Sequence, residues 1–264
     1  MIFDFWHSNR DSERRMFREM GYFGDQSGIL RRYRREREHW EPHLQRTRQA
    51  ALQAAQGKQH GSAAVLGSGW LLDVPVEELS DSFERVILFD VRHPAAAKKA
   101  VKQPERVELR VCDISEYAQP VYQYVKQYRN RKKRPPITDI CPQSALDLSA
   151  FDFVFSCNIL NQLDILLVDY LSRSFDLNPE EVEVFRRNVQ SHHINMLPRG
   201  RSYVVADYEE LTYDRKGNEP VCKPSVDHPI VQRADAERWI WEFDTRMTYY
   251  RGRKTYFKVF GAEL

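Results

Sequence analysis

The sequence contains little that would suggest a membrane protein, a disulfide-bonded protein or a metal protein. It has no apolar run long enough to cross a bilayer, and its opening Met-Ile-Phe-Asp-Phe-Trp is too short and too acidic for a signal peptide. The four cysteines have no Cys-x-x-Cys spacing, and no group of His, Cys, Asp or Glu has zinc-site spacing. We therefore expect a cytoplasmic protein with free thiols, no structural metal and no membrane partner.

Neither sign of charge dominates the composition. The 40 basic and 38 acidic residues leave a formal net charge of +2, so composition predicts no strong attraction to nucleic acid. One basic run stands out at 129–134, Arg-Asn-Arg-Lys-Lys-Arg, directly before two prolines. Such a run is typical of a solvated loop, and contact with a phosphate-bearing substrate or RNA is the alternative.

The most informative stretch is a short apolar run that ends in a glycine turn. Residues 63–66 read as a buried strand, and Gly67-Ser68-Gly69 follows directly. Two glycines one residue apart permit a tight turn and the close approach of a ligand. A second apolar run, 85–90, ends on Asp90, 21 residues after Gly69, where a carboxylate can accept both hydroxyls of a ribose. Together these features predict a site for a ligand containing adenosine, although the glycines alone also fit an ordinary strand-ending turn.

Two common adenosine ligands are disfavoured by what the turn lacks. A P-loop needs Gly-Lys-Ser/Thr, which does not occur, and a dinucleotide fingerprint needs a third glycine where Leu72 stands. Tyr-x-x-x-Lys pairs, the spacing of some dehydrogenases, occur at Tyr122/Lys126 and Tyr250/Lys254. Both pairs lie in charged segments rich in tyrosine, and we interpret them as chance.

The order of motifs resembles that of the class I S-adenosylmethionine-dependent methyltransferases. Residues 65–69 (Val-Leu-Gly-Ser-Gly) are similar to the first motif of that family, and 88–90 (Leu-Phe-Asp) to its ribose-binding acid. Residues 111–114 (Val-Cys-Asp-Ile) resemble the acid after the third strand, 151–163 the fourth strand and its turn, and 196–206 the fifth strand. The resemblance covers most of the chain.

The resemblance implies a Rossmann-like doubly wound α/β sheet, mostly parallel and closed by a C-terminal antiparallel hairpin. It also implies S-adenosyl-L-methionine as the cofactor, bound across the carboxyl ends of the strands. The residues that it assigns to cofactor binding are Gly67, Ser68, Gly69, Asp90, Val91, Asp113, Ile114, Cys157 and Asn158.

The sequence departs from the family pattern beside the reacting methyl. Asn161 and Gln162 stand where many members have an acid and a histidine, and amides cannot act as bases near neutral pH. If the acceptor must lose a proton, we predict Asp207 as the base, with Glu209 second and with Asn158 bordering the methyl. The alternative for Asp207 is a hydrogen bond to the backbone of the following loop.

Further departures from the family pattern lie in the glycine turn after the first strand and in the turn before the fifth strand. Ser68, Trp70 and Leu71 stand where the family usually has another acid or glycine, and Trp70 is large for such a turn. Arg199 replaces the glycine that commonly precedes the fifth strand.

We expect two parts in the chain, a helical cap at 1–58 and a Rossmann-like domain at 59–264 with an insertion at about 116–149. In the cap, Asp11 or Ser12 would begin a helix that ends at Gly21, and Pro42 would separate two later helices. The cap is predicted to cover the ligand, lined by aromatic residues such as Trp6 and Trp40, with plain core packing as the alternative. The charged run 31–38 fits a solvated helix face.

Later elements are expected from local signals. Residues 73–79 predict a short helix, and Asn178-Pro179-Glu180-Glu181 predicts a capped helix start. Residues 202–207 predict the fifth strand, and 239–250 with 255–262 predict a hairpin turning at 251–253. The histidines His192 and His193 fit surface or packing roles.

The function predicted from these observations is methyl transfer from S-adenosylmethionine to an unidentified acceptor, with a small molecule favoured. Two alternatives stay open at this point. One is a binding protein that keeps the cofactor fold without catalysis, and the other is an RNA-modifying or RNA-binding protein that uses the basic loop 129–134.

Overall fold

One mixed sheet organises the chain in the computed structural model, which describes residues 2–264 and the side chains of residues 11–264. Its strands are β1 (Ser62–Leu66), β2 (Arg85–Asp90), β3 (Val107–Val111), β4 (Phe153–Cys157), β5 (Ser202–Tyr213), β6 (Val221–Pro224), β7 (Glu237–Asp244) and β8 (Lys254–Glu263). The strand order is β3-β2-β1-β4-β5-β8-β7, and β6 pairs with β5. Strands β1 to β5 are parallel, whereas β8 is antiparallel to both β5 and β7.

The strand order reverses beside β1. Val65 of β1 pairs with Leu88 of β2 on one side and with Phe155 of β4 on the other. The chain therefore runs outward from β1 to β3 and then crosses back to β4. A reversal of this kind leaves a crevice outside the carboxyl ends of the strands, where ligands bind in open α/β sheets. The predicted fold, a doubly wound sheet closed by an antiparallel hairpin, is confirmed.

Helices cover both faces of the sheet. They are α1 (Ile2–Met20), α2 (Tyr22–Ala55), α3 (Val76–Ser82), α4 (Ala95–Ala100), α5 (Ala118–Tyr128), α6 (Ile165–Ser172) and α7 (Pro179–Met196). Because strand side chains alternate, Ala64 and Leu66 face one core and Ala63 and Val65 the other. The first core contains residues of α1, α5, α6 and α7, and the second contains residues of α2 and α3. Burial on both faces accounts for the continuous apolar runs of β1, β2 and β4.

The first helix begins earlier than the sequence predicts. It is already helical at Ile2, so neither Asp11 nor Ser12 is its N-cap. It ends where predicted, because Gly21 adopts the left-handed conformation (φ 100°). The side chain of Trp6 lies outside the described side chains.

The predicted break at Pro42 is wrong, since α2 continues from Tyr22 to Ala55. Its non-helical residue is instead Glu36 (φ −110°, ψ 19°). The bend in α2 therefore lies six residues before the proline, rather than at it. The second half of α2 then packs on the sheet through Leu44, Ala51 and neighbouring residues.

Three further boundaries differ from the expectations. Helix α3 starts at Val76 rather than 73, because Pro75 disfavours helical backbone in the residue before it. Strand β5 continues to Tyr213, since β6 and β8 pair with its outer half. The β7–β8 connection is longer than predicted and spans 245–253, and the predicted turn lies within it, where Tyr250 and Arg253 form an antiparallel bridge around 251–252.

The predicted start of α7 is confirmed. Asn178 caps α7, where its side chain accepts the backbone N–H of Glu180 at 2.8 Å. The four cysteines are free. Within the described chain, no helix combines the length and the low polarity needed to span a bilayer.

Candidate functional site

A cavity of about 510 Å³ opens at the carboxyl ends of the parallel strands. It is bounded by the turns after β1, β2, β3 and β4, by β5, by the first half of α2 and by the β7–β8 connection. Except for Glu209, the second candidate base, the residues predicted as site residues line it: Gly67, Ser68, Gly69, Asp90, Val91, Asp113, Ile114, Cys157, Asn158 and Asp207. The fold thus brings the predicted set together, while the role of each residue stays a prediction.

The glycine turn uses its backbone donors within the protein. The amides of Gly67 and Ser68 both donate to the carbonyl oxygen of Phe89, at 3.0 and 3.2 Å. The amide of Gly69 donates to Asp90 Oδ2 at 2.7 Å. Phosphate-binding turns instead point free N–H groups at their ligand. This turn therefore offers no such cradle to an anion.

The two glycines are required for different reasons. A Cβ on Gly67 (φ 84°) would lie 2.9 Å from both the carbonyl oxygen of Cys157 and Cβ of Ile159. Close backbone packing against the end of β4 is therefore sufficient to explain Gly67. At Gly69 a Cβ would meet only Asp90 Oδ2, at 3.8 Å, so its positive φ of 44° is the main requirement for glycine there.

Asp90 is held at the end of β2 by three donors. Besides the amide of Gly69, its Oδ1 accepts the side-chain N–H of Gln26 at 3.2 Å and the backbone N–H of Arg92 at 3.3 Å. Helix α4 has no side-chain cap, so Asp90 does not cap it. A carboxylate has about four acceptor positions, so Asp90 can accept a further donor from a ligand. Burial raises the pKa of Asp90 to about 6.

Sequence reasoning missed Gln26, which connects α2 to this carboxylate. Its Nε2 also donates to the carbonyl oxygen of Arg92 at 2.9 Å, and its Oε1 is buried without a hydrogen-bond partner among the described residues. Trp70, the large residue in the glycine turn, donates its indole N–H to the carbonyl oxygen of Gln26 at 2.7 Å. Trp70 therefore anchors the helix that covers the site. A single polar residue in a helix gives no sequence signal for such a role.

Asp113, predicted to lie beside an adenine, caps α5. Its Oδ1 accepts the backbone and hydroxyl groups of Ser115 at 2.9 and 2.6 Å, and its Oδ2 accepts the amide of Ala118 at 2.7 Å. Burial raises the pKa of Asp113. Any contact with a ligand must therefore be made alongside this capping role.

Asn158 lines the cavity directly after β4, in the left-handed conformation (φ 48°). Its Nδ2 donates to Asp73 Oδ2 at 2.6 Å, and its Oδ1 is buried without a partner among the described residues. Asp73 is a second residue that the sequence analysis does not assign to the site. Its sequence context predicts a helix at 73–79, whereas the helix begins at Val76 and leaves Asp73 in the preceding loop. Burial raises the pKa of Asp73. An acid in the loop after the glycine turn was the available signal.

Asp207 lines the cavity from β5 and is only 1% exposed. Its Oδ2 accepts the side-chain N–H of Asn161 at 2.7 Å, and burial raises the pKa of Asp207 to about 7. The pairing of β5 with β8 is irregular between Asp207 and Glu209. Glu209, the second base predicted, does not line the cavity and instead forms an ion pair with Lys258 at 2.5 Å. Glu210 does line it.

Aromatic rings form the wall near Asp207. Trp241, Phe243, Tyr249, Tyr250 and Phe257 all line the cavity. The guanidinium of Arg32 lies 4.6 Å from the ring of Phe243 and 4.7 Å from that of Tyr249, with its Nε buried and unpartnered among the described residues. Trp40 also lines the cavity and donates its indole N–H to the carbonyl oxygen of Phe243 at 2.8 Å.

Glu36 holds the β7–β8 connection against α2. It is fully buried, and its carboxylate accepts the hydroxyl of Thr245 at 2.7 Å and the backbone N–H groups of Thr245 and Arg246 at 3.2 Å each. The prediction that 31–38 is a solvated face is therefore wrong at Glu36. The bend in α2 at this residue lies where the helix contacts the β7–β8 connection.

The histidine pair and the basic run lie apart from the cavity. His193 is buried against Ser156 Oγ at 2.8 Å, and burial lowers its pKa to about 3. No group of three metal-ligating side chains occurs among the described residues. Within the basic run, Arg134 forms an ion pair with Glu181 at 3.1 Å, and no residue of 129–134 lines the cavity.

No family model and no curated protein matches this chain. Solved structures that resemble it include N-methyltransferase NodS from Bradyrhizobium japonicum in complex with S-adenosylhomocysteine, at 13% identity and a TM-score of 0.39 over 83% of this chain and 87% of that one. Another is 1,6-didemethyltoxoflavin-N1-methyltransferase from Burkholderia thailandensis, at 14% identity and a TM-score of 0.40 over 90% and 87%. A third is an S-adenosylmethionine-dependent methyltransferase from Clostridium acetobutylicum, at 10% identity and a TM-score of 0.33 over 84% and 90%. All three are named as methyltransferases, and the motifs of this sequence resemble those of the same class. The identities and TM-scores are too low to transfer a ligand or a reaction.

Proposed function

We propose that this protein is an S-adenosylmethionine-dependent methyltransferase that acts on a small molecule. The observation that carries the proposal is the chemistry of the cavity beside the glycine turn. The turn has the position of a nucleotide-binding turn, yet its three amides donate to Phe89 and Asp90. An adenosine ligand without phosphates suits this turn better than ATP or a dinucleotide.

The charge of the cavity supports the same ligand. Among the described residues, eight carboxylates line it, namely Asp25, Asp73, Asp90, Asp113, Asp164, Asp169, Asp207 and Glu210, against three cations, Arg32, Arg186 and Lys223. Arg186 is paired with Asp164 at 2.7 Å. The sulfonium and ammonium groups of S-adenosylmethionine outweigh its single carboxylate and leave it with a net positive charge, whereas ATP and NAD carry negative phosphates. An acidic lining attracts the former and repels the latter.

The positions of the side chains suggest a role for each part of the cavity. We propose that Asp90 accepts a ribose hydroxyl, that Asn158 and Asp73 surround the amino-acid end of the cofactor, and that Asp207 receives a proton from the acceptor. The bound cofactor supplies a methyl group on a good leaving group. The chain then chiefly aligns the reacting atoms, an effect worth up to about 7–11 kcal/mol.

The part of the proposed cap 1–58 that contacts the cofactor cavity is the first half of α2. Gln26 contacts the carboxylate of Asp90, and Trp40 lines the cavity farther along α2. These contacts support a cover formed by the first half of α2, while its second half belongs to the core of the sheet. The division of the chain at residue 58 remains a proposal.

Thermal denaturation with added ligands tests the cofactor. S-adenosylhomocysteine and S-adenosylmethionine should raise Tm, because a ligand at a hundredfold excess over its Kd stabilises by about 2.7 kcal/mol. NAD and ATP should raise it little. A clear shift with NAD and none with S-adenosylhomocysteine would overturn the proposal. Binding of S-adenosylhomocysteine without methyl transfer to any acceptor would instead indicate a binding protein.

A further inference from the structure

We infer that the methyl acceptor is an amine whose N–H groups are held by Asn161 and Asp207. The inference rests on the proposed function, because it concerns the acceptor end of the same cavity. Three kinds of observation support it: the orientation of one amide, the number of hydrogen-bond acceptors, and the surroundings of Asp207.

The orientation of the Asn161 amide follows from its partner. While Asp207 is ionised, its carboxylate can only accept hydrogen bonds, so the atom that lies 2.7 Å from its Oδ2 is then the Nδ2 donor. The other amide atom is therefore Oδ1. Asn161 is 6% exposed and lines the cavity, and this Oδ1 has no hydrogen-bond partner among the described residues. A buried carbonyl without a donor is unfavourable, and a bound N–H group would satisfy it.

Two neighbouring acceptors suit a nitrogen better than an oxygen. The Oδ1 of Asn161 and the carboxylate of Asp207 can hold two N–H hydrogens of one amine and leave its lone pair free to point at the methyl group. A hydroxyl has a single hydrogen. Held by Asp207, it would direct a lone pair at the bare oxygen of Asn161, and the two oxygens would repel each other.

The surroundings of Asp207 also suit an amine. Glu210, on the same strand, provides a second carboxylate, whose described partner is the hydroxyl of Tyr250 at the long distance of 3.4 Å. The rings of Trp241 and Tyr249 line the same cavity, and aromatic faces attract the ammonium form in which a basic amine arrives, before it loses a proton. Burial raises the pKa of Asp207 to about 7, which suits a group that takes up a proton near neutral pH.

The amine, the cofactor and Asp207 together account for every bond and proton in the methyl transfer. The nitrogen lone pair forms the new bond to the methyl carbon of S-adenosylmethionine. The sulfur–carbon bond breaks, and its electron pair stays on sulfur as S-adenosylhomocysteine forms. The lone pair becomes free when the bound ammonium group gives one proton to the carboxylate of Asp207, and the methylated nitrogen carries the positive charge that the sulfur has lost.

Matched amines and alcohols test this inference by binding rather than by activity. Titration calorimetry on protein saturated with S-adenosylhomocysteine would compare benzylamine with benzyl alcohol, and cyclohexylamine with cyclohexanol. We expect each amine to bind at least about tenfold more tightly than its alcohol. Asp207→Asn and Asn161→Leu should each remove most of this preference. Glu209→Gln is the matched control and should keep it, because Glu209 lies two residues along the same strand and does not line the cavity.

The outcomes separate the two proposals. If S-adenosylhomocysteine does not bind the wild-type protein, the proposed function fails. If it binds and neither pair shows a preference for the amine, only the inference about the acceptor fails. An amine preference that survives in both Asp207→Asn and Asn161→Leu would also overturn it. The affinity of each variant for S-adenosylhomocysteine shows that the variant is folded.

Discussion

The side-chain amide of Asn158 donates a 2.6 Å hydrogen bond to the carboxylate of Asp73, 85 residues earlier in the chain. This bond joins the loop after the glycine turn to the end of β4, and both residues line the cavity. Asn158 is a non-glycine residue at φ 48°, a conformation that the surrounding structure must hold in place. The two residues therefore act as one unit in shaping the proposed cofactor site.

We expect Asp73→Ala to lower the affinity for S-adenosylhomocysteine by about tenfold, because the released Asn158 amide would lose its fixed orientation. Calorimetric titration measures the change, and circular dichroism shows whether the fold is kept. Asp81→Ala is the control, since Asp81 is an exposed acid on α3 that bonds Gln103. An unchanged affinity in folded Asp73→Ala would contradict the role given to this pair.

The affinity for S-adenosylhomocysteine should depend on the protonation of Asp90. Burial raises the pKa of Asp90 to about 6, and only the ionised form keeps a free acceptor position for a ribose hydroxyl. The affinity should therefore fall about tenfold between pH 7 and pH 5, as the carboxylate takes up a proton. Asp90→Asn should bind weakly and with little change over this range. The same pH dependence in that variant would show that another group is responsible.

The two glycines of the turn should differ in their tolerance of alanine. Gly67→Ala places Cβ 2.9 Å from the backbone oxygen of Cys157, in addition to the unfavourable φ, whereas at Gly69 the Cβ meets little. Urea denaturation should give a loss of about 2–5 kcal/mol in the free energy of unfolding for Gly67→Ala. Gly69→Ala should lose about 1–2 kcal/mol. A larger loss for Gly69→Ala would contradict the packing explanation of Gly67.

The elements that sequence reasoning found correctly carry strong local signals. Strand β2 has the predicted bounds, because an apolar run between charged residues matches a strand buried on both faces. The start of α7 at Asn178-Pro179 is equally local. The contact between Gly69 and Asp90 can also be predicted from the sequence, since strands paired in parallel bring their carboxyl ends together.

The features that were missed depend on distant contacts. Strand β5 extends past Asp207 because β8, some 50 residues later, pairs with its outer half. Gln26 approaches Asp90 only because α2 lies over the sheet, and nothing near Gln26 in the sequence indicates that contact. The burial of Glu36 likewise depends on the β7–β8 connection. Asp73 was within reach of local reasoning, since Pro75 argues against a helix at that point.

The last prediction concerns the effect of Asp207 on stability. Burial raises the pKa of Asp207 from 3.8 to about 7, so between these values the folded state binds a proton that the unfolded state has lost. The contribution of this group to the free energy of unfolding is fully present below pH 3.8 and is lost as the pH rises through 7. Asp207→Asn cannot ionise, and its carbonyl can still accept the amide of Asn161.

We therefore expect Asp207→Asn to gain stability relative to the wild type as the pH rises, by about 3 kcal/mol between pH 5 and pH 8. Urea denaturation at the two pH values measures this difference. Asp235→Asn is the control, because Asp235 is an exposed acid paired with Arg233 and should change the pH dependence little. If Asp207→Asn and the wild type followed parallel stability profiles, Asp207 would not titrate in this range. The proton acceptor for the proposed amine would then have to be Glu210, the other carboxylate of β5 that lines the cavity.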